Sequence, residues 1–187
     1  MSLVSVVIPS YNSKKTIENC IQSLSQGDYK NIEIIVVDDC STDESPELIE
    51  KMHVSCPLRV IRQPENLGPA AARNVGAKSA QGKYIFFFDS DTMVFPNSID
   101  CALKEIQRLS ADAITGIYHW EPLNEGCVPE YKALFSYYFF SRKGIIPYEV
   151  FDSSRACIKK VVFNALGGFN DNIKWGMDVE NEEFGYR

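Results

Sequence analysis

The sequence carries no surplus of basic residues: 19 Lys and Arg stand against 25 Asp and Glu, a formal net charge of -6. Such a chain cannot neutralise a run of phosphates by counterion release, which argues against nucleic acid as a partner. Histidine is scarce, with only His53 and His119, and the six cysteines at 20, 40, 56, 101, 127 and 157 include no C-x-x-C pair. A structural zinc site needs clustered thiolates and imidazoles. None is expected, and the cysteines are read as reduced, small, buried apolar residues of a cytosolic protein. No G-x-G-x-x-G follows the first strand-like run, where Pro9-Ser10-Tyr11-Asn12 stands instead, so a dinucleotide oxidoreductase is disfavoured. The N-terminus enters a strand pattern at Val4, which leaves no room for the basic and apolar regions of a secretory leader. The longest apolar runs, Tyr84 to Phe88 and Leu134 to Phe140, fall far short of the ~18 residues needed to cross a bilayer. A membrane can be touched at its surface but is not spanned.

What is present is the makeup of an ordinary globular domain: 187 residues, 45% hydrophobic and 24% charged, enough for one sizeable core. Strand and helix patterns alternate through the first half. VSVVIP (Val4 to Pro9) is a short β-branched run, followed by cap candidates Asn12 and Ser13 and by Ile17, Cys20, Ile21 and Leu24 at helical spacing. IEIIVVDD (Ile32 to Asp39) lacks polar alternation through its centre, as a strand covered on both faces does, and Ser45-Pro46 opens a helix with Leu48, Ile49 and Met52 inward. LRVIRQ (Leu58 to Gln63) is a third strand, an alanine-rich helix runs to Ser79, and YIFFFD (Tyr84 to Asp89) is a fourth strand. Asn97 or Ser98 then caps a helix with Ile99, Ala102, Leu103, Ile106 and Leu109 on one side, and Ala113 to Tyr118 reads as a further strand. Repeated β-α units of this length imply an α/β fold with a doubly wound, mainly parallel sheet and helices on both faces.

From His119 the pattern loosens. A loop runs to Glu130, an aromatic helix follows over Tyr131 to Ser141, a strand lies around Val150 to Ile158, and Gly167-Gly168 makes a turn. At helical spacing Tyr131, Phe135 and Tyr138 form one inward stripe, although aromatic residues flanked by Lys132, Arg142 and Lys143 also suit a bilayer surface or a lipid-linked acceptor. The chain stops at Arg187 within a helix-like stretch that has no cap or breaker, as a fragment would.

In open parallel sheets ligands bind beyond the carboxyl ends of the strands. Three strands end here in polar groups: Pro9-Ser10-Tyr11-Asn12, Asp38-Asp39 and Asp89-Ser90-Asp91. If strand geometry persists, Asp89 and Asp91 project to one side, and two oxygen ligands there suit a hard cation such as Mg²⁺ or Mn²⁺ bridging diphosphate oxygens. They could equally solvate a strand end or cap a turn. Asp38 and Asp39 lead into Cys40-Ser41-Thr42-Asp43, a stretch that reads as a turn with N-cap duties or as a set of acceptors for base N–H and ribose hydroxyl groups.

Together SVVIPSYN, IIVVDDCSTDES, NLGPAAARNVGAKSAQGKYIFFFDSDT and the later ALGGF resemble the inverting family 2 glycosyltransferases, whose fold is called GT-A. The resemblance covers nearly the whole chain, and four ordered blocks are far more specific than D-x-D alone. It implies one catalytic domain over residues 1–187, with a nucleotide-binding part at about 1–118 and an acceptor-side part at about 119–187. It also implies transfer of a sugar, with inversion, from a nucleoside-diphosphate sugar to the hydroxyl of a glycan or lipid-linked acceptor, using Mg²⁺ or Mn²⁺. The setting would be cell-envelope polysaccharide synthesis, in the cytoplasm at the inner face of the membrane.

Carried over position by position, Asp39 with Asp38 beside it lies near base and ribose, and Pro9 and Tyr11 line that pocket. Arg73 lies near the nucleotide or its diphosphate, or pairs with a neighbouring carboxylate. Asp89 and Ser90 belong to the donor site, and Asp91, then Asp89, are the metal ligands. The family's second signature pairs Glu and Asp ahead of a further acid, a hydrophobe and Arg, and uses that Asp as general base. Here Asn181 holds its place in Glu180-Asn181-Glu182-Glu183-Phe184-Gly185-Tyr186-Arg187. An amide cannot accept the acceptor hydroxyl's proton, so the base falls to Glu180 or Asp178, nearest in sequence, ahead of Glu182 and Glu183. Two other readings stand beside this one. The domain could bind a nucleotide sugar without turnover, or FFFDSDTM could belong to a haloacid-dehalogenase-like phosphatase with Asp89 as nucleophile and Asp91 as acid/base.

Overall fold

A computed structural model describes residues 1–123, 125–141, 151–172 and 179–186. The strands are β1 (Val4–Ser10), β2 (Ile32–Asp38), β3 (Leu58–Arg62), β4 (Tyr84–Phe88), β5 (Ala113–Thr115) and β6 (Arg155–Lys159). The helices are α1 (Ile17–Ser25), α2 (Ser45–Glu50), α3 (Pro69–Ser79), α4 (Ser98–Leu109), α5 (Cys127–Ser141), α6 (Lys160–Ala165) and α7 (Val179–Tyr186). One six-stranded sheet has the order β3-β2-β1-β4-β6-β5. Its first four strands are parallel, while β6 runs antiparallel to both β4 and β5. The mainly parallel, doubly wound sheet expected from the β-α units is present.

Alternate side chains of the central strands point to two cores. Val4, Val6, Ile8, Ile34, Val36, Phe86 and Phe88 pack with α1, α2 and α4, whereas Val7, Ile35, Val37, Ile85 and Phe87 face α3, α6 and α7. Burial on both faces is why β2 reads as a continuous apolar run. Helix α3 lies close against β1 and β2 because its inward face is alanine and glycine. A Cβ on Gly76 would collide with Cγ1 of Val7 and come within 3.2 Å of Cγ2 of Val37.

Several local expectations change. Strand β5 ends at Thr115, not Tyr118, and Gly116 instead donates its N–H to the Arg155 carbonyl while its own carbonyl accepts from Arg155 Nε. The later strand is Arg155–Lys159, and it inserts between β4 and β5, an arrangement that apolar periodicity cannot report. Asn12 does not cap α1: at φ 51° its Oδ1 accepts from the backbone N–H groups of Thr42 and Asp43 in the loop after β2. Leu109, expected inward on α4, is exposed.

Helix α5 begins at Cys127, and the stripe expected to face inward lies outside, Tyr131, Phe135 and Tyr138 being 67%, 56% and 61% exposed. Apolar residues surround this helix on every side, so spacing alone does not single out a buried face. All six cysteines are free thiols, but only Cys20 and Cys157 are buried, while Cys101 and Cys127 are exposed.

Candidate functional site

The sheet order puts the carboxyl ends of β2, β1 and β4 side by side. From β1 the chain winds first toward β2 and β3 and later returns to add β4 on the other side, a topological switch point. Pairing of β1 with β2 continues to Ser10 opposite Asp38, whereas pairing of β1 with β4 stops at Val7 opposite Phe87. The strands therefore part beyond Val7, and the acidic ends of β2 and β4 flank the Pro9–Asn12 segment. Tyr11 is 47% exposed there, Pro9 is half-buried, and the hydroxyls of Ser10 and Ser13 are 2.6 Å apart. Loop walls are tied together by Lys14, whose N–H donates to Asp43 at 3.0 Å and whose ammonium pairs with Glu44.

Asp38 and Asp39 are both buried. Asp39 Oδ1 accepts from Gln63 Nε2 and, at 2.8 Å, from the Leu67 N–H, while Oδ2 accepts from the Gly68 N–H at 2.8 Å. Of about four acceptor positions on a carboxylate, three thus hold the loop that opens α3. Asp38 Oδ2 accepts from the Ser41 N–H at 3.3 Å, and its Oδ1 is buried with no hydrogen-bond partner among the described residues.

At the end of β4 the strand stops at Phe88, and the Thr92 N–H closes a turn onto the Asp89 carbonyl. Asp89, Ser90 and Asp91 therefore sit on a turn, and the strand alternation assumed for the two carboxylates does not continue. Buried Arg73 donates from Nη2 to Asp89 Oδ1 at 2.7 Å, which realises the neighbouring-carboxylate alternative for this arginine. Asp91 is exposed and Ser90 half-buried. Cys20 of α1 reaches the Asp89 carbonyl from below, at 3.6 Å from Sγ. Burial, and then the negative charges of Asp91 and Asp89, push its thiol up to about 12. Among the described residues no group of three or more His, Cys, Asp or Glu converges as a metal cage.

On the acceptor side, Asp178 lies outside the described residues, as does the side chain of Glu180. Asn181 is buried, 3% exposed, and its Oδ1 accepts from the Ser153 N–H at 3.3 Å. Neighbouring Asp152 accepts from the N–H and hydroxyl of Ser154 and pairs with Arg155 at 2.6 Å. The Arg155 guanidinium also lies 4.1 Å from the Tyr118 ring centre. Sequence reasoning missed this network and the roles of Gln63 and Asn74. The Asn beside Arg73 was the available signal, but its partner is 95 residues away.

Comparison with known proteins adds a family match and a fold match. The family model described as Glycosyl transferase family 2 matches residues 5–158. Glycosyltransferase GlyG of Streptococcus pneumoniae serotype 4 is 40% identical over 118 residues, 63% of this chain and 39% of the relative. The poly(ribitol-phosphate) beta-N-acetylglucosaminyltransferase TarS of Staphylococcus aureus is 35% identical over 117 residues, 61% of this chain and 20% of that protein. An uncharacterised Haemophilus influenzae glycosyltransferase is 29% identical over 175 residues, and this chain covers 58% of its length. The chain thus spans less than two thirds of each of these curated relatives. Among solved structures, S. aureus TarS 1-349 superposes with a TM-score of 0.73 at 24% identity, covering 98% of this chain and 55% of that one. The Pyrobaculum calidifontis mannosyltransferase PcManGT, in complex with GDP-Man and Mn²⁺, gives 0.74 at 22% identity, covering 91% and 48%. The fold is that of the GT-A glycosyltransferases.

Proposed function

This chain belongs to glycosyl transferase family 2, and from that premise we propose that it moves a sugar, with inversion, from a nucleoside-diphosphate sugar to an acceptor hydroxyl. The observation that carries this reading is the placing of the acidic pair at the end of β2 and the acidic turn at the end of β4 on either side of β1, at the switch point. A phosphatase that takes Asp89 as nucleophile is set aside, because it leaves Asp38, Asp39 and the loop they hold without a role.

In the proposed donor site, Tyr11 and Pro9 wall the nucleoside, and Asp39 contributes chiefly through the loop it fixes, with one acceptor position left for a base or ribose donor. Buried Asp38 Oδ1 is a second unspent acceptor beside it. A divalent cation fits the β4 turn in the manner of Mg²⁺ or Mn²⁺ sites built from one or two carboxylates and phosphate oxygens. Asp91 would hold it, with Asp89 Oδ2 assisting, since Oδ1 is committed to Arg73. Such a cation supplies charge neutralisation for the leaving nucleoside diphosphate. Arg73 keeps Asp89 in place and lends its own positive charge to the same turn.

Inverting transfer needs a base on the acceptor side. Asn181 cannot serve, being an amide and already engaged with Ser153, so Glu180 is assigned the role, with Asp178 as substitute. The acceptor is proposed to be a cell-envelope glycan or a lipid-linked glycan, in keeping with the polymer in the name of the TarS relative. Action at the inner face of the membrane is consistent with the exposed aromatic residues of α5. Among the described residues no helix is long and apolar enough to cross a membrane. The buried amide of Asn181 favours one second reading, a domain that binds the nucleotide sugar without turnover. The anomeric configuration of the transferred sugar, read by NMR, tests the stereochemistry: inversion agrees with the proposal and retention overturns it.

A further inference from the structure

Asn74 follows Arg73 on α3 and takes no part in the donor chemistry. Its Nδ2 donates to the Phe169 carbonyl at 2.8 Å, and its Oδ1 accepts from the Phe169 N–H at 2.9 Å. One planar amide therefore satisfies both backbone groups of a single residue, fixing its height and its orientation at once. The turn that delivers Phe169 is made by Gly167 and Gly168, both left-handed at φ 80° and 77°. A Cβ on Gly168 would stand 2.6 Å from Asn74 Oδ1, so the amide and the turn fit only with glycine there.

The Phe169 ring continues the connection. Its centre is 4.8 Å from that of Phe184, which is buried in α7, and 5.4 Å from those of Phe87 on β4 and Phe163 on α6. Phe184 lies one helical turn beyond Asn181, the residue that receives the Ser153 N–H. Toward the donor, the preceding residue of α3 holds Asp89. Two adjacent residues of one rigid helix thus grip the donor-side turn and the turn that leads to the acidic helix.

We propose that Asn74 is a positioning residue for the transfer step: through Phe169 and Phe184 it sets where α7 stands relative to Asp89. Its effect on turnover rests on the transferase reading above, whereas the coupling itself does not. Asn is suited to this place because Asp lacks the donor for the Phe169 carbonyl, Ala lacks both groups, and Gln carries the amide one methylene too far. Misplacing a reacting group by about 1 Å can cost ~10²-fold in rate, so loss of registration reads out in kcat.

The test uses Asn74→Ala, Asn74→Asp, and Gly168→Ala, which strikes the same bond from the other side. Three quantities are measured: backbone amide exchange along the chain, affinity for UDP and GDP with Mn²⁺, and steady-state release of sugar to water from UDP-N-acetylglucosamine and GDP-mannose. The expected result is faster exchange over residues 166–172 and 179–186 with β1 and β2 still protected, nucleotide affinity unchanged within about twofold, and kcat lowered about tenfold or more at unchanged donor KM. Asn74→Asp, which keeps the acceptor for the Phe169 N–H but sets a carboxylate oxygen against the Phe169 carbonyl, should fall at least as low as Asn74→Ala. Exchange unchanged in those segments, or raised equally throughout the chain, overturns the coupling. Local opening with unaltered kcat overturns the role in transfer. A parent that binds no nucleotide and releases no sugar removes the transferase reading and the role in transfer, and the exchange pattern then judges the coupling alone.

Discussion

Arg73 Nη2 and Asp89 Oδ1 lie 2.7 Å apart, with the arginine buried and the carboxylate 37% exposed. The first acid of the β4 turn is therefore paired from inside the protein, which leaves exposed Asp91 as the carboxylate most available to a cation. Asp91→Ala should abolish the additional rise in Tm that Mn²⁺ or Mg²⁺ gives to UDP or GDP over chelator. Persistence of that increment in the variant would remove Asp91 as a metal ligand.

Asp39 spends three acceptor positions on Gln63, Leu67 and Gly68. Asp39→Ala should release this loop and weaken nucleoside diphosphate binding in chelator by about ten- to a hundredfold, since a charge-assisted hydrogen bond is worth ~1.5–3 kcal/mol. Titration calorimetry with UDP and GDP checks it. Parent-like affinity without metal would show that Asp39 serves the fold and not the ligand.

The cysteines report on the same turn. At pH 8 Cys101 and Cys127 should react rapidly with a disulfide-exchange reagent, and Cys20 and Cys157 only after unfolding, because burial pushes both buried thiols up, Cys20 to about 12. The stability consequence comes from linkage. The native state keeps the Cys20 proton while the unfolded state loses it near 9.0, so this contribution is whole below pH 9 and declines as pH rises toward 12. Asp91→Asn should lessen the decline by removing one repelling charge. Rapid labelling of native Cys20 at pH 8 would contradict the placement of the acidic turn against α1.

The β-α units and the acidic strand ends were legible because both arise from local pattern: apolar runs of strand length, helical spacing after them, and carboxylates where strands stop. Insertion of β6 between β4 and β5 was not, since Arg155–Lys159 has the same composition whichever neighbour it pairs with. Asn12 has the position of a helix cap because it stands shortly before the helical spacing of α1 begins. Its Oδ1 instead serves Thr42 and Asp43, which are distant in sequence. Tyr131, Phe135 and Tyr138 have the spacing of an inward stripe but stand exposed. Asn181 stood out as a departure from the family pattern, and only the fold shows the Ser153 N–H that occupies it.

The general base is the sharpest consequence of that departure. Glu180→Gln should leave nucleotide affinity nearly unchanged while turnover falls by about 10²-fold or more. Asn181→Asp should add little if Glu180 already serves, and would put a buried carboxylate at the Ser153 N–H. Full activity in Glu180→Gln, together with activity appearing only in Asn181→Asp, would favour binding without turnover.

Donor use is measured with a panel of UDP-, GDP- and dTDP-sugars, each tested with the parent chain in Mn²⁺ for thermal stabilisation and for release or transfer of labelled sugar. At least one donor should raise Tm and be turned over, and Asp91→Ala should lose the metal-dependent part of both effects. A panel in which no nucleotide sugar shifts Tm and none is cleaved would rule out a nucleotide-sugar transferase.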